Sequence, residues 1–276
     1  MNAPLPQPLT EAAVVDLWLR DRPSTTRRAY LTDYGVLASW AGKPLALITI
    51  EDLFRFSTEL TGAPASRCRR IAAVKSLMSF AVRVGALALD PSRSIRLPRT
   101  SKNLTERVLR EDEVVDLIKE ARRGRDQALL RTLYISGVRI SEALGLRWQD
   151  VGRRWLTVAG KGSKPRTVLV PGRLVADLRK LKDRAESEEG FVFKGRGGRP
   201  ISTGYARRIV KTAGMEALGK PVAPHWMRHS HACKAVENGV PIHVLQASLG
   251  HFSIATTSLY LHARPNQGSS QYIGLR

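Results

Sequence analysis

The sequence predicts a mainly α-helical chain of two domains with a small β-hairpin in the second, an α+β fold class. Apolar residues recur at helical spacing along the first hundred residues, and a stretch with prolines and no periodicity follows them. Beyond it, helical patterns surround one pair of alternating β-branched segments. We therefore expect a helical domain over residues 1–103 that ends in a basic linker, and a mixed domain over residues 104–276.

The first domain is expected to contain four helices, because start or stop signals flank the apolar patterns. They are predicted over residues 10–20 with Thr10 as N-cap, 24–42 with Ser24 or Thr25 as N-cap and Gly42 as its end, 49–60 behind a Thr49–Asp52 capping box, and 64–84. The stretch LDPSRSIRLPRTSKNLTE, residues 89–106, then indicates an exposed basic linker.

The second domain is expected to begin with two helices, REDEVVDLIKEARR and DQALLRTLYISG. The segments RWLTVAG and KPRTVLVPG follow, and the glycine-containing turn KGSK between them predicts a β-hairpin. Three further helices are predicted over GRLVADLRKLKDRAE, STGYARRIVKTAGMEALG and PHWMRHSHACKAVENGV.

Net charge is the most informative bulk property. The 276 residues include 45 Lys and Arg against 24 Asp and Glu, a formal net charge of +21. Such an excess of positive charge is typical of nucleic-acid-binding proteins. A membrane-surface protein would concentrate its charge on one amphipathic helix, whereas here it is spread along the chain. A basic surface kept only for solubility is the plainer alternative.

Other bulk features suggest a soluble intracellular protein. Hydrophobic residues make up 43% of the chain, yet no apolar run approaches the roughly 18 residues of a membrane span. The first residues lack the basic start of a secretory signal. The two cysteines, Cys68 and Cys233, match no metal or redox spacing and are expected to be reduced thiols.

Four separated segments carry side chains suited to chemistry on a phosphate. They are SGVRISEALGLRW with Arg139, AGKGSKPR with Lys161, PHWMRH with His225 and Arg228, and LGHFSIATTSLYLH with His251 and Tyr260. Singly each is weak: a helix tyrosine usually packs, a turn lysine is usually solvated, and an arginine near a glutamate, here Glu142, is usually a surface pair.

A metal site is the main alternative for the histidines. His225 and His229 are four apart, as in zinc protease helices, and His231 is close by. However, Trp226 stands where the general-base glutamate would be, and Arg228 would place a positive charge beside the metal. We therefore disfavour metal binding.

Taken together, the four segments resemble the boxes of the tyrosine recombinase (phage integrase) family, especially its compact Xer-type members. SGVRISEAL is similar to the first arginine box, GKGSKPR to the hairpin lysine box, PHWMRHSHA to the His-x-x-Arg box, and LGHFSIATTSLYLH to the final box. The resemblance covers most of the chain. It implies a SAM-like helical core-binding domain followed by a catalytic domain, with no additional arm-binding domain.

The resemblance also implies roles for six residues. Tyr260 would attack a DNA phosphodiester, and the catalytic set would be completed by Arg139, Lys161, His225, Arg228 and His251. Free tyrosine has a pKa near 10 and needs activation. Two arginines suit the phosphate because each can bind two oxygens at once. Spacing alone leaves Lys164 open as an alternative to Lys161.

The implied reaction is site-specific recombination through a 3′-phosphotyrosine and a Holliday junction, without metal, nucleotide or other cofactor. Expected partners are double-stranded DNA and further recombinase copies, in a tetramer on two DNA sites, or a related recombinase. The expected location is the cytoplasm, at the nucleoid of a prokaryotic cell. Alternatives are a type IB topoisomerase-like or telomere-resolving enzyme, or a non-catalytic DNA-binding protein of the same fold.

Overall fold

The computed structural model describes residues 9–98, 107–160, 165–183 and 186–250. The chain divides into two compact units, Met1–Lys102 and Asn103–Arg276. Within the described ranges, no helix has the length and apolar character to cross a membrane.

The described part of the first unit contains four α-helices, α1 (Glu11–Arg20), α2 (Ser24–Ala41), α3 (Ile50–Glu59) and α4 (Pro64–Arg83). The described elements of the second unit are, in chain order, α5 (Glu111–Glu120), α6 (Arg125–Ser136), α7 (Ile140–Gly145), β1 (Trp155–Ala159), β2 (Pro165–Leu169), α8 (Gly172–Arg179), α9 (Thr203–Leu218), α10 (Pro224–Glu237) and α11 (Ile242–Leu249). This mainly helical fold with a small antiparallel sheet confirms the predicted fold class.

Two of the four helices described in the first unit, α1 and α3, begin at a side-chain cap. The Thr10 hydroxyl accepts a hydrogen bond from the Ala13 N–H at 3.3 Å, as predicted for an N-cap. The predicted capping box also forms, because the Thr49 N–H donates to Asp52 Oδ2 at 2.7 Å. The prediction for α2 was wrong at its start: Ser24 is the first helical residue, and no side chain caps the helix.

The described part of the predicted linker, residues 89–98, is anchored to the first unit at two buried positions, while Leu89, Arg93, Ser94, Arg96 and Leu97 are exposed. Ser92 and Ile95 are 1% and 6% exposed, and Ile95 belongs to the apolar core of the first unit. Lys75 Nζ donates to the carbonyl oxygens of Ser92 at 2.5 Å and Ile95 at 2.7 Å. A lysine on α4 therefore satisfies the polar backbone of this turn. Residues 99–106 lie outside the described residues.

The second unit packs most of its helices around a large core that also includes the hairpin, and a smaller apolar cluster joins α10 to α11. α5 contacts α9, and α6 contacts α10. Leu129, Leu133, Leu156 and Phe193 are each 0% exposed within this core. β1 and β2 pair antiparallel, which confirms the predicted hairpin strands, with Val158 opposite Arg166. The connecting residues 161–164 lie outside the described residues.

The observed helices of the second unit differ in two ways from those that the sequence predicts, and each difference has a physical cause. α8 ends at Arg179, although a helix was predicted as far as residue 186. After Leu178 the chain is strongly charged, and Leu181 is the one apolar residue among 179–183 that packs against the core, so packing gives little support to a longer helix. The short helices α7 and α11 were not predicted, because six or eight residues carry too little periodicity to detect.

Candidate active site

Arginines from three elements converge on the carboxyl end of α11. The carbonyl oxygen of Ser248 accepts from Arg166 Nε at 3.0 Å, that of Leu249 from Arg228 Nη2 at 2.7 Å, and that of Gly250 from Arg139 Nη2 at 3.2 Å. The last carbonyls of a helix have no intrahelical donor, and the helix dipole makes this end attractive to cations. The arginines therefore satisfy the end of α11 and are held together by it.

Arg139 is placed by the turn between α6 and α7. Gly137 ends α6 with φ of +61°, and Arg139 is the N-cap residue of α7. The Arg139 backbone N–H donates to Glu142 Oε2 at 2.7 Å, and Arg139 Nη1 donates to Glu142 Oε1 at 2.7 Å. Glu142 is only 8% exposed, so the plainer alternative of an ordinary surface pair does not apply.

The buried Glu142 carboxylate is shared with a second arginine, Arg166 on β2. Arg166 Nη1 and Nη2 donate to Glu142 Oε1 and Oε2 at 2.9 and 2.8 Å. Burial favours the protonated form of Glu142, but the hydrogen bonds from Arg166 and Arg139 outweigh it and lower the pKa of this carboxyl group. Glu142 is therefore ionised at neutral pH.

Arg228 and His225 lie in the first turns of α10, which opens with Pro224. Arg228 is 4% exposed, and its Nη1 donates to the Gly137 carbonyl oxygen at 2.6 Å. The pKa of His225 is lowered, mainly by partial desolvation of its ring and then by the positive charges of Arg228 and Arg139. A neutral imidazole beside two guanidinium groups can accept a proton at neutral pH.

The charge balance of this cluster favours an anion. Three guanidinium groups, those of Arg139, Arg166 and Arg228, face one carboxylate, that of Glu142, among the described residues. Arg139 uses two of its five N–H donors within the described part of the chain and keeps 33% of its side chain exposed. An oxyanion such as a phosphate is the ligand that these remaining donors suit best.

The structure thus brings together Arg139, His225 and Arg228 from the predicted set of six. Lys161, His251 and Tyr260, and also Lys164, lie outside the described residues. The sequence analysis missed the roles of Glu142 and Arg166. A glutamate three residues after an N-cap position is a recognisable capping signal, but nothing local indicates the partners of Arg166.

The remaining histidines of α10, His229 and His231, are half-buried. The rings of His225 and His229 have centroids 6.4 Å apart. Desolvation, and then the charges of His225 and Arg228, lower the pKa of His229 to about 4. Across the described residues, no group of three or more His, Cys, Asp or Glu side chains is arranged to hold a metal ion.

A family-wide sequence model described as "Phage integrase family" matches residues 107–267, more than half of the chain. The chain belongs to the phage integrase family. Tyrosine recombinase XerC of Mycobacterium tuberculosis (strain ATCC 25177 / H37Ra) is 35% identical over 263 residues, which cover 86% of this chain and 87% of that protein. The predicted membership of the tyrosine recombinase family is therefore confirmed.

Solved structures of phage integrase family members resemble the fold. The crystal structure of XerA recombinase aligns with a TM-score of 0.54 and 25% identity, over 96% of this chain and 99% of that one. The crystal structure of a lambda integrase tetramer bound to a Holliday junction aligns with a TM-score of 0.72 and 17% identity, over 89% and 78% of the two chains. The protein is a tyrosine-type, site-specific DNA recombinase, and the topoisomerase-like and non-catalytic alternatives are not favoured.

Proposed function

We propose that this recombinase cuts and rejoins duplex DNA through a covalent bond to Tyr260, with Arg139, Lys161, His225, Arg228 and His251 as the other catalytic residues. The observation that carries the proposal is the convergence of Arg139 and Arg228 on the last turn of α11, immediately before His251. It supports the proposal because Tyr260 follows α11 by eleven residues in the sequence, and because His225, whose pKa is lowered partly by these two arginines, is close to them.

In the proposed cleavage step, the Tyr260 oxygen attacks a DNA phosphorus atom and its proton passes to His225. Arg139, Arg228 and His251 donate hydrogen bonds to the non-bridging oxygens, where negative charge develops. The bond between phosphorus and the sugar 5′-oxygen breaks as Lys161 protonates that oxygen. The products are a 3′-phosphotyrosine and a free 5′-hydroxyl, which attacks the partner strand's phosphotyrosine in the rejoining step.

The proposed reaction uses no cofactor, because side chains of the protein both conserve the phosphoester bond and supply positive charge at the phosphate. Each phosphodiester that breaks is conserved as a phosphotyrosine ester, so rejoining needs no nucleotide. Arginine, lysine and histidine supply the positive charge that a metal ion supplies in many phosphoryl-transfer sites.

We further propose double-stranded DNA as the partner and a tetramer of this chain, or of this chain with a related recombinase, on two DNA sites. The lambda integrase tetramer on a Holliday junction supports that assembly by similarity of fold. The net charge of +21 supplies strong, salt-dependent attraction to DNA phosphates. The first unit would act as the core-binding domain and the second as the catalytic domain, in the cytoplasm at the nucleoid.

Covalent capture on a suicide DNA substrate tests the proposal. We expect the full-length protein to form a protein–DNA adduct, and Tyr260→Phe, which removes one oxygen, to bind DNA but form none. Tyr134→Phe serves as the matched control, since it removes a hydroxyl from α6 rather than from the proposed nucleophile. Adduct formation by Tyr260→Phe at the wild-type yield would place the nucleophile elsewhere.

The arginines require a separate comparison. Arg139→Ala is expected to reduce the cleavage rate by about 10² to 10³-fold, the usual loss for one oxyanion contact, with a much smaller loss of DNA affinity. Arg173→Ala is the control, because Arg173 is an exposed arginine on α8 with no side-chain partner among the described residues. Normal cleavage by Arg139→Ala would refute its assignment.

A further inference from the structure

Arg166 makes three side-chain hydrogen bonds beside Arg139 and Arg228, within the described part of the chain. Its Nη1 and Nη2 form a bidentate pair with Glu142, and its Nε donates to the Ser248 carbonyl oxygen at 3.0 Å. Its side chain is only 14% exposed. Because the planar guanidinium group holds all three bonds in fixed directions, Arg166 fixes the carboxylate relative to the end of α11.

Glu142 links Arg166 to Arg139. Oxygen Oε1 accepts from both Arg139 Nη1 and Arg166 Nη1, while Oε2 accepts from the Arg139 backbone N–H and Arg166 Nη2. Without Arg166, the buried carboxylate would have Arg139 as its only guanidinium partner among the described residues. The full negative charge of Glu142 would then act on Arg139 and weaken the attraction of Arg139 for another anion.

Arg166 also touches the exit from α11. A side chain at Gly250, where φ is +62°, would place its Cβ atom 3.0 Å from the guanidinium carbon of Arg166. The close approach shows that Arg166 lies directly against the residue that precedes His251. Arg166 is on β2, opposite Val158, so its side chain also ties this strand to the end of α11.

We propose that Arg166 is a positioning residue for DNA cleavage: it holds Glu142 and the end of α11 together, so that Arg139 presents its remaining N–H donors to the scissile phosphate. This inference rests on the proposed function. Arg166 touches neither substrate nor reacting atoms in this proposal and acts through Arg139. It goes beyond the six residues that the sequence motifs single out.

Single-turnover cleavage of two DNA substrates tests the proposal. One substrate is unmodified, and the other carries a methylphosphonate at the scissile position, which removes the charge of one non-bridging oxygen. If Arg166 acts through Arg139, Arg166→Ala should slow cleavage of unmodified DNA by about 10 to 100-fold, the usual range for a supporting residue. The same methylphosphonate stereoisomer should reduce the defects of both Arg166→Ala and Arg139→Ala.

A double variant supplies the second readout. We expect Arg139→Ala combined with Arg166→Ala to cleave no more slowly than Arg139→Ala alone, since the residues act as one unit. Arg166→Lys keeps the charge beside Glu142 and preserves folding, but a single ammonium cannot make the three directed bonds. Its cleavage should fall between those of wild type and Arg166→Ala, with thermal stability and DNA affinity close to wild type.

Several outcomes would overturn the inference and are distinct from failure of the proposed function. Arg166 would only stabilise the fold if Arg166→Ala slowed cleavage of both substrates equally. The same would follow if the rate loss of the double variant equalled the product of the two single losses. Wild-type cleavage by Arg166→Lys and Arg166→Ala, like that of the control Arg173→Ala, would show that it has no part in cleavage. If the wild-type protein forms no adduct at all, the proposed function itself fails.

Discussion

Replacing Gly137 by alanine tests whether the turn that ends α6 holds Arg228 in its position. Gly137 has φ of +61°, and an added Cβ atom would lie 2.5 Å from His231 Cδ2 and 2.9 Å from Leu249 Cδ2. Leu249 is fully buried, so it has little room to move. The carbonyl oxygen of Gly137 also accepts the 2.6 Å hydrogen bond from Arg228, so a shift of this turn moves a proposed catalytic group.

The cost of Gly137→Ala has two parts. Left-handed backbone costs a residue with a Cβ atom about 1–2 kcal/mol relative to glycine. Overpacking against His231 and Leu249 adds about 1–3 kcal/mol. We therefore expect the free energy of unfolding to fall by about 2–5 kcal/mol in total. If relaxation displaces Arg228 by about 1 Å, cleavage should fall by about 100-fold.

Gly219→Ala separates the two parts. Gly219 ends α9 with φ of +65°, but an added Cβ atom would have no neighbour within 4 Å. This variant should therefore lose only the conformational part, about 1–2 kcal/mol, and cleave at the wild-type rate. Urea unfolding followed by circular dichroism, and suicide-substrate cleavage by the folded fraction, measure the two effects. Equal losses of stability in Gly137→Ala and Gly219→Ala, with normal cleavage in both, would refute the reasoning.

Three further predictions concern the chemistry. Lys161→Ala should be slow on normal DNA but largely restored on DNA with sulfur at the bridging 5′ position, which needs little acid assistance; restoration of Lys164→Ala instead would reassign the general acid. At low DNA concentration, cleavage should become slower as the pH falls through the pKa of His225, since only the neutral ring accepts a proton. This pKa is lowered from the usual value of 6.5. Arg207→Ala removes a positive charge that lowers this pKa, so the acidic limb should move to higher pH, and an unmoved limb would exclude His225 as the base. Cleavage and strand exchange should persist in excess EDTA without nucleotide, whereas loss of the chemical step, restored by zinc or magnesium, would revive the metal alternative.

Short-range signals in the sequence were good guides to local structure. The Thr10 cap and the Thr49–Asp52 box form as predicted, because each depends on atoms only three residues apart. Where a local signal had to compete with packing, the prediction held only in part. The stretch that holds Ile95 looked like an exposed linker, but burial of this side chain and the bonds from Lys75 fold it onto the first unit.

The phosphate-binding part of the candidate site could be partly predicted, because its signals are also local in the sequence. Arg139 and Arg228 stand in recognisable motifs, and arginine is chemically suited to a phosphate. Their partners could not be predicted, because Arg139 bonds a carbonyl 111 residues away and Arg166 bonds one 82 residues away. Every residue has a carbonyl group, so no sequence feature distinguishes the ones that the arginines bind.

The sequence by itself determined that the chain is basic, mainly helical and a member of the phage integrase family, since charge, periodicity and motif spacing can be read from the order of residues. Only the tertiary structure decided that Glu142 is a buried, shared carboxylate and that Arg166 joins it to α11. These facts depend on how α6, α7, α10, α11 and β2 pack together. Packing brings distant polar groups into one desolvated place, where each must find a partner because leaving it without one would cost stability.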